Sequence, residues 1–132
     1  IALTPDDELV MVEQYRQGSE SVELEIPGGI VDNGEPPLES GLRELREETG
    51  YEGDNARIIG SLFANPAIMN NQVHTILLEN CTKKHDLKWD EGEDIFTQLV
   101  PASDITELIR AGKIRHSIIV AALQLFALER GG

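Results

Sequence analysis

Between Pro37 and Gly50 the chain reads Pro-Leu-Glu-Ser-Gly-Leu-Arg-Glu-Leu-Arg-Glu-Glu-Thr-Gly, with Leu38, Leu42 and Leu45 at i, i+4 and i+7. That spacing predicts a helix over 37–49 with leucine along one face. Glu44, Glu47 and Glu48, at i, i+3 and i+4, crowd a different side of the same helix. Any fold for this chain must therefore bury the leucine stripe against another layer while it holds three carboxylates together. Their repulsion costs only about 0.2–0.5 kcal/mol per pair, so the crowding alone reads equally well as a solvated acidic face. Proline is tolerated in the first turn, and Gly50 supplies the stop. Gly41 inside the helix costs about 1 kcal/mol against alanine, which points to close packing against a neighbouring strand.

Residues 8–16 are rich in strand formers, and Pro5-Asp6-Asp7 before them predicts a turn closing a hairpin with residues 1–4. Residues 22–26 alternate apolar and acidic with period two, which predicts one buried face with Glu23 and Glu25 together on the other. Pro27-Gly28-Gly29 ends that strand. Further strands are expected at 56–64, 73–80 and 95–100, then helices at 104–110 and 117–129, with Gly112 capping the first of these. This order favours an α/β (α+β) architecture, a mixed β-sheet sandwiched between helices as α/β/α layers, over a doubly wound parallel sheet. At 132 residues the expectation is one domain over 1–132.

With 24 acidic against 11 basic residues the formal charge is −13, which argues against nucleic acid and anionic membranes as partners and requires cations for any anionic substrate. The longest apolar stretch, 118–128, is interrupted by Gln124 and reads as a buried helix, too short to span a bilayer. Cys81, the single cysteine, excludes an intramolecular disulfide, reads as a small buried hydrophobe and agrees with a cytoplasmic location. No basic and apolar leader is present, and the opening isoleucine points to something upstream that has been removed. His74, His85 and His116 lack metal-ligand spacing and read as structural, and Lys83-Lys84-His85 as a solvated turn.

Gly29 is followed by five residues, then Glu35, then seven residues, then Arg43-Glu44-Leu45-Arg46-Glu47-Glu48-Thr49-Gly50-Tyr51. This resembles the signature of the Nudix hydrolase family at all seven specified positions, Gly29, Glu35, Arg43, Glu44, Glu47, Glu48 and Gly50. A chance match in a chain of this length is on the order of one in a million. Tyr51 departs mildly, since an aliphatic residue is usual there. The resemblance implies metal-dependent hydrolysis of a phosphoanhydride bond, with Mg²⁺ as the ion and Mn²⁺ as the alternative. A hard cation suits such a site, because it binds oxygen ligands and neutralises diphosphate charge that repels an incoming water. It also implies Glu44 and Glu48 as principal ligands, Glu47 as ligand to a further ion and the Gly28 carbonyl as another. Arg43 then holds Glu47, and Glu35 braces the loop against the helix.

Outside that signature, Gln14-Tyr15-Arg16, Glu25-Ile26-Pro27-Gly28-Gly29, Pro66 at 16 residues beyond Gly50, and the acidic run 90–95 are similar to the ADP-ribose pyrophosphatase and nucleoside diphosphate sugar branch. The similarity implies Glu91 as the catalytic base, with Glu93 as an added metal ligand or alternative base. It places Arg16 against phosphate or nucleobase, Glu25 on the substrate side, and Pro66, Met69 and Asn70 in a loop toward the sugar. The implied reaction takes ADP-ribose or a nucleoside diphosphate sugar to a nucleoside monophosphate and a sugar phosphate. Members of the branch usually carry an N-terminal strand-rich extension that pairs two subunits, so a homodimer is expected of the full-length protein. Two alternatives stay open: hydrolysis of oxidised nucleoside triphosphates or dinucleoside polyphosphates, and a non-catalytic sensor of the same fold. The intact carboxylates argue against the sensor. A calcium module is disfavoured by the lack of an Asp-x-Asp-x-Asn-Gly loop.

Overall fold

Valine, leucine, methionine and tyrosine dominate Glu8–Arg16, and this stretch forms β1, the strand on which the rest assembles. The computed structural model describes residues 1–87 and 95–131. After β1 come β2 (Ser21–Glu25), α1 (Pro37–Thr49), β3 (Tyr51–Phe63), β4 (Gln72–Lys83) and β5 (Ile95–Pro101). A 3₁₀ turn (Ala102–Asp104), α2 (Ile105–Arg110) and α3 (Ser117–Glu129) complete the order.

β1 is central in one antiparallel sheet, ordered β2-β1-β5, and β3 pairs antiparallel with β4. Residues 1–4 connect the two. Ala2 pairs parallel with Leu78 of β4, and Leu3 pairs antiparallel with Leu9 of β1 across the Pro5–Asp7 turn. One parallel and one antiparallel neighbour on the same short segment make the strand layer mixed, as the element order predicts.

Neighbouring residues of that layer part to opposite sides. Leu9, Met11 and Leu77 join a cluster with Ile105, Ile119, Leu123 and Phe126, under α2 and α3. Val10, Ile76 and Leu78 join a second cluster with Leu45, and Leu38 and Leu42 pack on it. The leucine face of α1 is therefore buried as its spacing predicts. Each fully buried leucine contributes about 1.5–3 kcal/mol relative to exposure. A Cβ on Gly41 would meet the tip of the Ile76 side chain, so the helix lies close to β4 and a larger residue there would require Ile76 to move.

Three elements depart from expectation. β3 starts at Tyr51, five residues early, because Gly50 turns the chain in the left-handed region (φ 77°) and its N–H donates to the Arg46 carbonyl at 2.8 Å. Gly53, Asp54 and Asn55 are poor strand formers, yet pairing with β4 carries them through register shifts near Glu52, Asp54 and Ile58. The helix expected at 104–110 divides into the 3₁₀ turn and the shorter α2. β2 departs further: Glu23 and Glu25 are the buried side, 5% and 1% exposed, while Val22 is 60% exposed. The period of two holds but both sides are covered: Leu24 and Ile26 pack partly on the first core cluster, while Arg115 and Arg16 neutralise Glu23 and Glu25 and allow them to be buried too.

Candidate active site

α1 presents its carboxylates beside the turn that follows β2. Gly29 faces the Glu44 carboxylate so closely that a Cβ at this position would collide with it, whereas a Cβ on Gly28 would meet nothing. Of the pair, only Gly29 is crowded, and a larger residue there would displace the Glu44 carboxylate. The Gly28 N–H donates to Glu48 Oε2 at 3.2 Å, tying the turn to the last helical turn of α1.

Arg43 gathers the outer carboxylates. Its Nε and one terminal nitrogen donate to the two oxygens of Glu35, both at 3.0 Å. The other terminal nitrogen reaches Glu47 at 3.1 Å and Glu44 at 3.3 Å, and Asp32 stands 3.4 Å away. This forked pair holds the Glu35 carboxyl below its ordinary range. Glu35 thus braces the loop through Arg43. Glu47 is more than half exposed, on the outer side of the group.

Glu44 and Glu48 both shift the other way from Glu35. Burial raises the Glu44 carboxyl, although Arg43 opposes the shift. Burial pushes Glu48 up to about 7 against the single opposing hydrogen bond from Gly28. Two partly buried carboxylates thus stand one turn apart on one helix, Glu44 with Arg43 beside it and Glu48 with only the Gly28 N–H as donor among the described residues.

Glu48 opens on a cleft of about 630 Å³ whose wall also includes Arg16, Glu25, Gly28, His74 and His116. A smaller cavity beside it reaches Glu44 and shares Gly28, Gly29 and His74. Arg16, at the end of β1, donates from Nε to Glu25 Oε2 at 2.9 Å. Its side chain is 46% exposed, and its two terminal nitrogens have no hydrogen bond among the described residues. Four residues singled out in the sequence, Arg16, Glu25, Gly28 and Glu48, thus share one wall.

Others stand apart. Pro66, Met69 and Asn70 lie on the exposed turn between β3 and β4, where the Ile68 and Met69 N–H groups donate to the Asn65 carbonyl. The adjoining Asn71 and Gln72 reach the cleft instead. Glu91 and Glu93 lie outside the described residues. Among the described residues, no three carboxylate, imidazole or thiol groups already converge on one point as metal ligands do. His74 and His116 carried no signal by spacing, yet both face the cleft; His74 Nδ1 is 2.7 Å from Ser61 Oγ. Lone polar positions before or within apolar elements were their only mark in the sequence.

No helix among the described residues is long and apolar enough to cross a membrane. Comparison with known proteins matches the NUDIX domain family over residues 1–123. The methanol dehydrogenase activator of Bacillus methanolicus is 34% identical over 98% of this chain and 70% of that protein. The ADP-ribose pyrophosphatase of Bacillus subtilis is 30% identical, with the same shares covered. Among solved structures, an ADP compounds hydrolase superposes with a TM-score of 0.85 at 25% identity, covering 96% of this chain and 68% of that one. The helix that carries Glu44, Glu47 and Glu48, the glycine turn facing it, and a match over nearly the full length agree: the chain belongs to the NUDIX domain family.

Proposed function

We propose that this chain hydrolyses the phosphoanhydride bond of ADP-ribose or a nucleoside diphosphate sugar, giving a nucleoside monophosphate and a sugar phosphate, with Mg²⁺ or Mn²⁺ as cofactor. The observation that carries the reading is the meeting, on one cleft, of the desolvated Glu48, the Gly28-Gly29 turn and the half-free guanidinium of Arg16. The relatives named as an ADP-ribose pyrophosphatase and an ADP compounds hydrolase support a substrate of this class.

The residues fit a hard divalent cation. Their donors are all oxygens, and burial disfavours a bare negative charge on both Glu44 and Glu48, so a cation beside them would offset that cost. Glu44, Glu48 and the Gly28 carbonyl hold the ion, with Glu47 for a further one. Such an ion supplies charge neutralisation at the diphosphate and activation of water. The protein's own part is positional. Arg16, pinned at Nε by Glu25, offers two terminal nitrogens to phosphate oxygens in forked geometry. Arg43 holds Glu35 and Glu47 in place. Glu91 serves as base on the attacking water, with Glu93 beside it as ligand or alternative base. The turn holding Pro66, Met69 and Asn70 borders the sugar end.

A product assay decides the matter, with ADP-ribose, ADP-glucose, GDP-mannose, UDP-glucose, 8-oxo-dGTP and diadenosine polyphosphates, each with and without magnesium. Magnesium-dependent cleavage concentrated on the diphosphate sugars is expected. Turnover confined to triphosphates, or none from a folded protein, overturns the proposal.

A further inference from the structure

His116 belongs to none of the motifs above. It precedes α3, and its Nδ1 accepts the Ile118 N–H at 3.2 Å, which caps the helix. A neutral imidazole that accepts at Nδ1 carries its proton on Nε2. That nitrogen lies 3.5 Å from Glu25 Oε1. Glu25 Oε1 is buried and has no hydrogen-bond partner among the described residues, and its side chain is only 2% exposed. The other oxygen of the same carboxylate accepts from Arg16. A buried carboxylate oxygen left bare is costly, and too little of it is exposed for water or substrate to reach. The donor that stands against it is His116.

We infer that His116 is a positioning residue of the cleft. Its Nε2–H closes on Glu25 Oε1 by roughly half an ångström, to ordinary hydrogen-bond length. The chain His116–Glu25–Arg16 then aims the Arg16 guanidinium at the phosphates of a bound nucleoside diphosphate. What Arg16 touches rests on the proposed reaction; the contact between His116 and Glu25 rests on geometry alone.

The two roles of the ring can be separated, because asparagine places an amide where Nδ1 stands and glutamine places one where Nε2 stands. His116→Asn keeps the cap of α3 and loses the reach to Glu25. Its KM for ADP-ribose should rise about tenfold, the worth of one hydrogen bond to a charged group, with kcat little changed and the thermal midpoint held. His116→Gln should return KM close to wild type while lowering the midpoint. A wild-type KM in His116→Asn, or a KM that follows the midpoint through both variants, reduces His116 to a helix cap and overturns the inference.

A readout without substrate keeps this test separate from that of the reaction. ¹⁵N imidazole spectra of the wild-type protein should show His116 protonated at Nε2, with a proton slow to exchange. A ring protonated at Nδ1, or a freely exchanging Nε2 proton, overturns the contact whatever the enzyme cleaves. A slow Nε2 proton in a protein that cleaves no diphosphate sugar supports the contact and removes the proposed reaction instead.

Discussion

Glu23 and Glu25 project from the same face of β2, two residues apart, and the consecutive residues Arg115 and His116 stand against them. Their fates differ. Glu23 receives Arg115 through Nε and a terminal nitrogen at 2.6–3.1 Å, and the Ser21 hydroxyl at 2.9 Å. Arg115 holds its carboxyl down to about 2. Glu25 receives Arg16 at one oxygen, and its other oxygen, with no hydrogen bond among the described residues, faces only His116 Nε2 at 3.5 Å. A saturated carboxylate has little capacity left for a ligand, and it can only fasten β2 to the start of α3. An unsaturated one beside a cleft that also holds Glu48 marks the place where the fold accepts a cost that stability alone would remove.

The sharpest test of that division is Glu48→Gln. The amide keeps the volume and can still accept from the Gly28 N–H, so folding is retained or improved, since a group that resists ionisation has been replaced by a neutral one. Turnover should fall by about 10²- to 10³-fold, the several kcal/mol that a well-held ion contributes. Full activity with magnesium refutes Glu48 as a ligand. Next in size are the two arginines. Arg16→Ala should raise KM about tenfold or more, as one charge-assisted hydrogen bond is worth, and should also lower the thermal midpoint, because the buried Glu25 carboxylate loses its cation. Arg115→Ala should lower the midpoint alone, leaving kcat/KM near wild type. If both act on KM, the distinction between the saturated and unsaturated carboxylates fails.

How much of this was legible in the sequence follows from the range of the forces involved. Both faces of α1 could be read because i, i+3 and i+4 neighbours are set by the helix itself, and Gly41 marked a close approach to a strand without saying which, which the fold shows to be at Ile76 of β4. The alternation in β2 could be read too, but not that its acidic side would be the more deeply buried. That choice was made by Arg115, 92 residues from Glu23, and by Arg16 on the neighbouring strand. Gly53, Asp54 and Asn55 argued against a strand that only pairing with β4 sustains. His116 read as structural since its spacing matches no metal site, and its partner Glu25 is 91 positions earlier by residue number. Glu91 and Glu93, the expected base and its neighbour, lie outside the described residues.

The glycine turn offers a finer version of the same comparison. Gly28→Ala places a methyl group in open space, so the folded protein should tolerate it without loss of stability. Gly29→Ala drives a methyl group onto the Glu44 carboxylate. Either the turn or the side chain must give way, and a ligand displaced by even a fraction of an ångström lowers activity by roughly tenfold. Measuring metal affinity and kcat for both variants separates them. Equal losses would mean that the turn acts through substrate contact and not through its approach to α1.

Glu23→Gln should have the smallest effect on turnover, and it tests whether Glu23 is purely structural. The ordinary value for this carboxyl is 4.5, and the folded protein lowers it to about 2, chiefly through Arg115. Between those values the unfolded chain binds more protons than the folded one, so stability rises with pH across the window. Glu23 therefore contributes fully above pH about 4.5, and its contribution fades as pH falls toward about 2. Unfolding curves should show the variant less stable than wild type near neutral pH and approaching it near pH 2, with a shallower acid limb. Asp7 and Glu35, lowered by Arg130 and Arg43, remain in both proteins and keep some slope in each. An unchanged acid limb means that the Arg115 contact does not persist in solution. A marked fall in kcat/KM with an unchanged limb means that Glu23 serves the cleft as Glu25 does, and the division between the two carboxylates disappears.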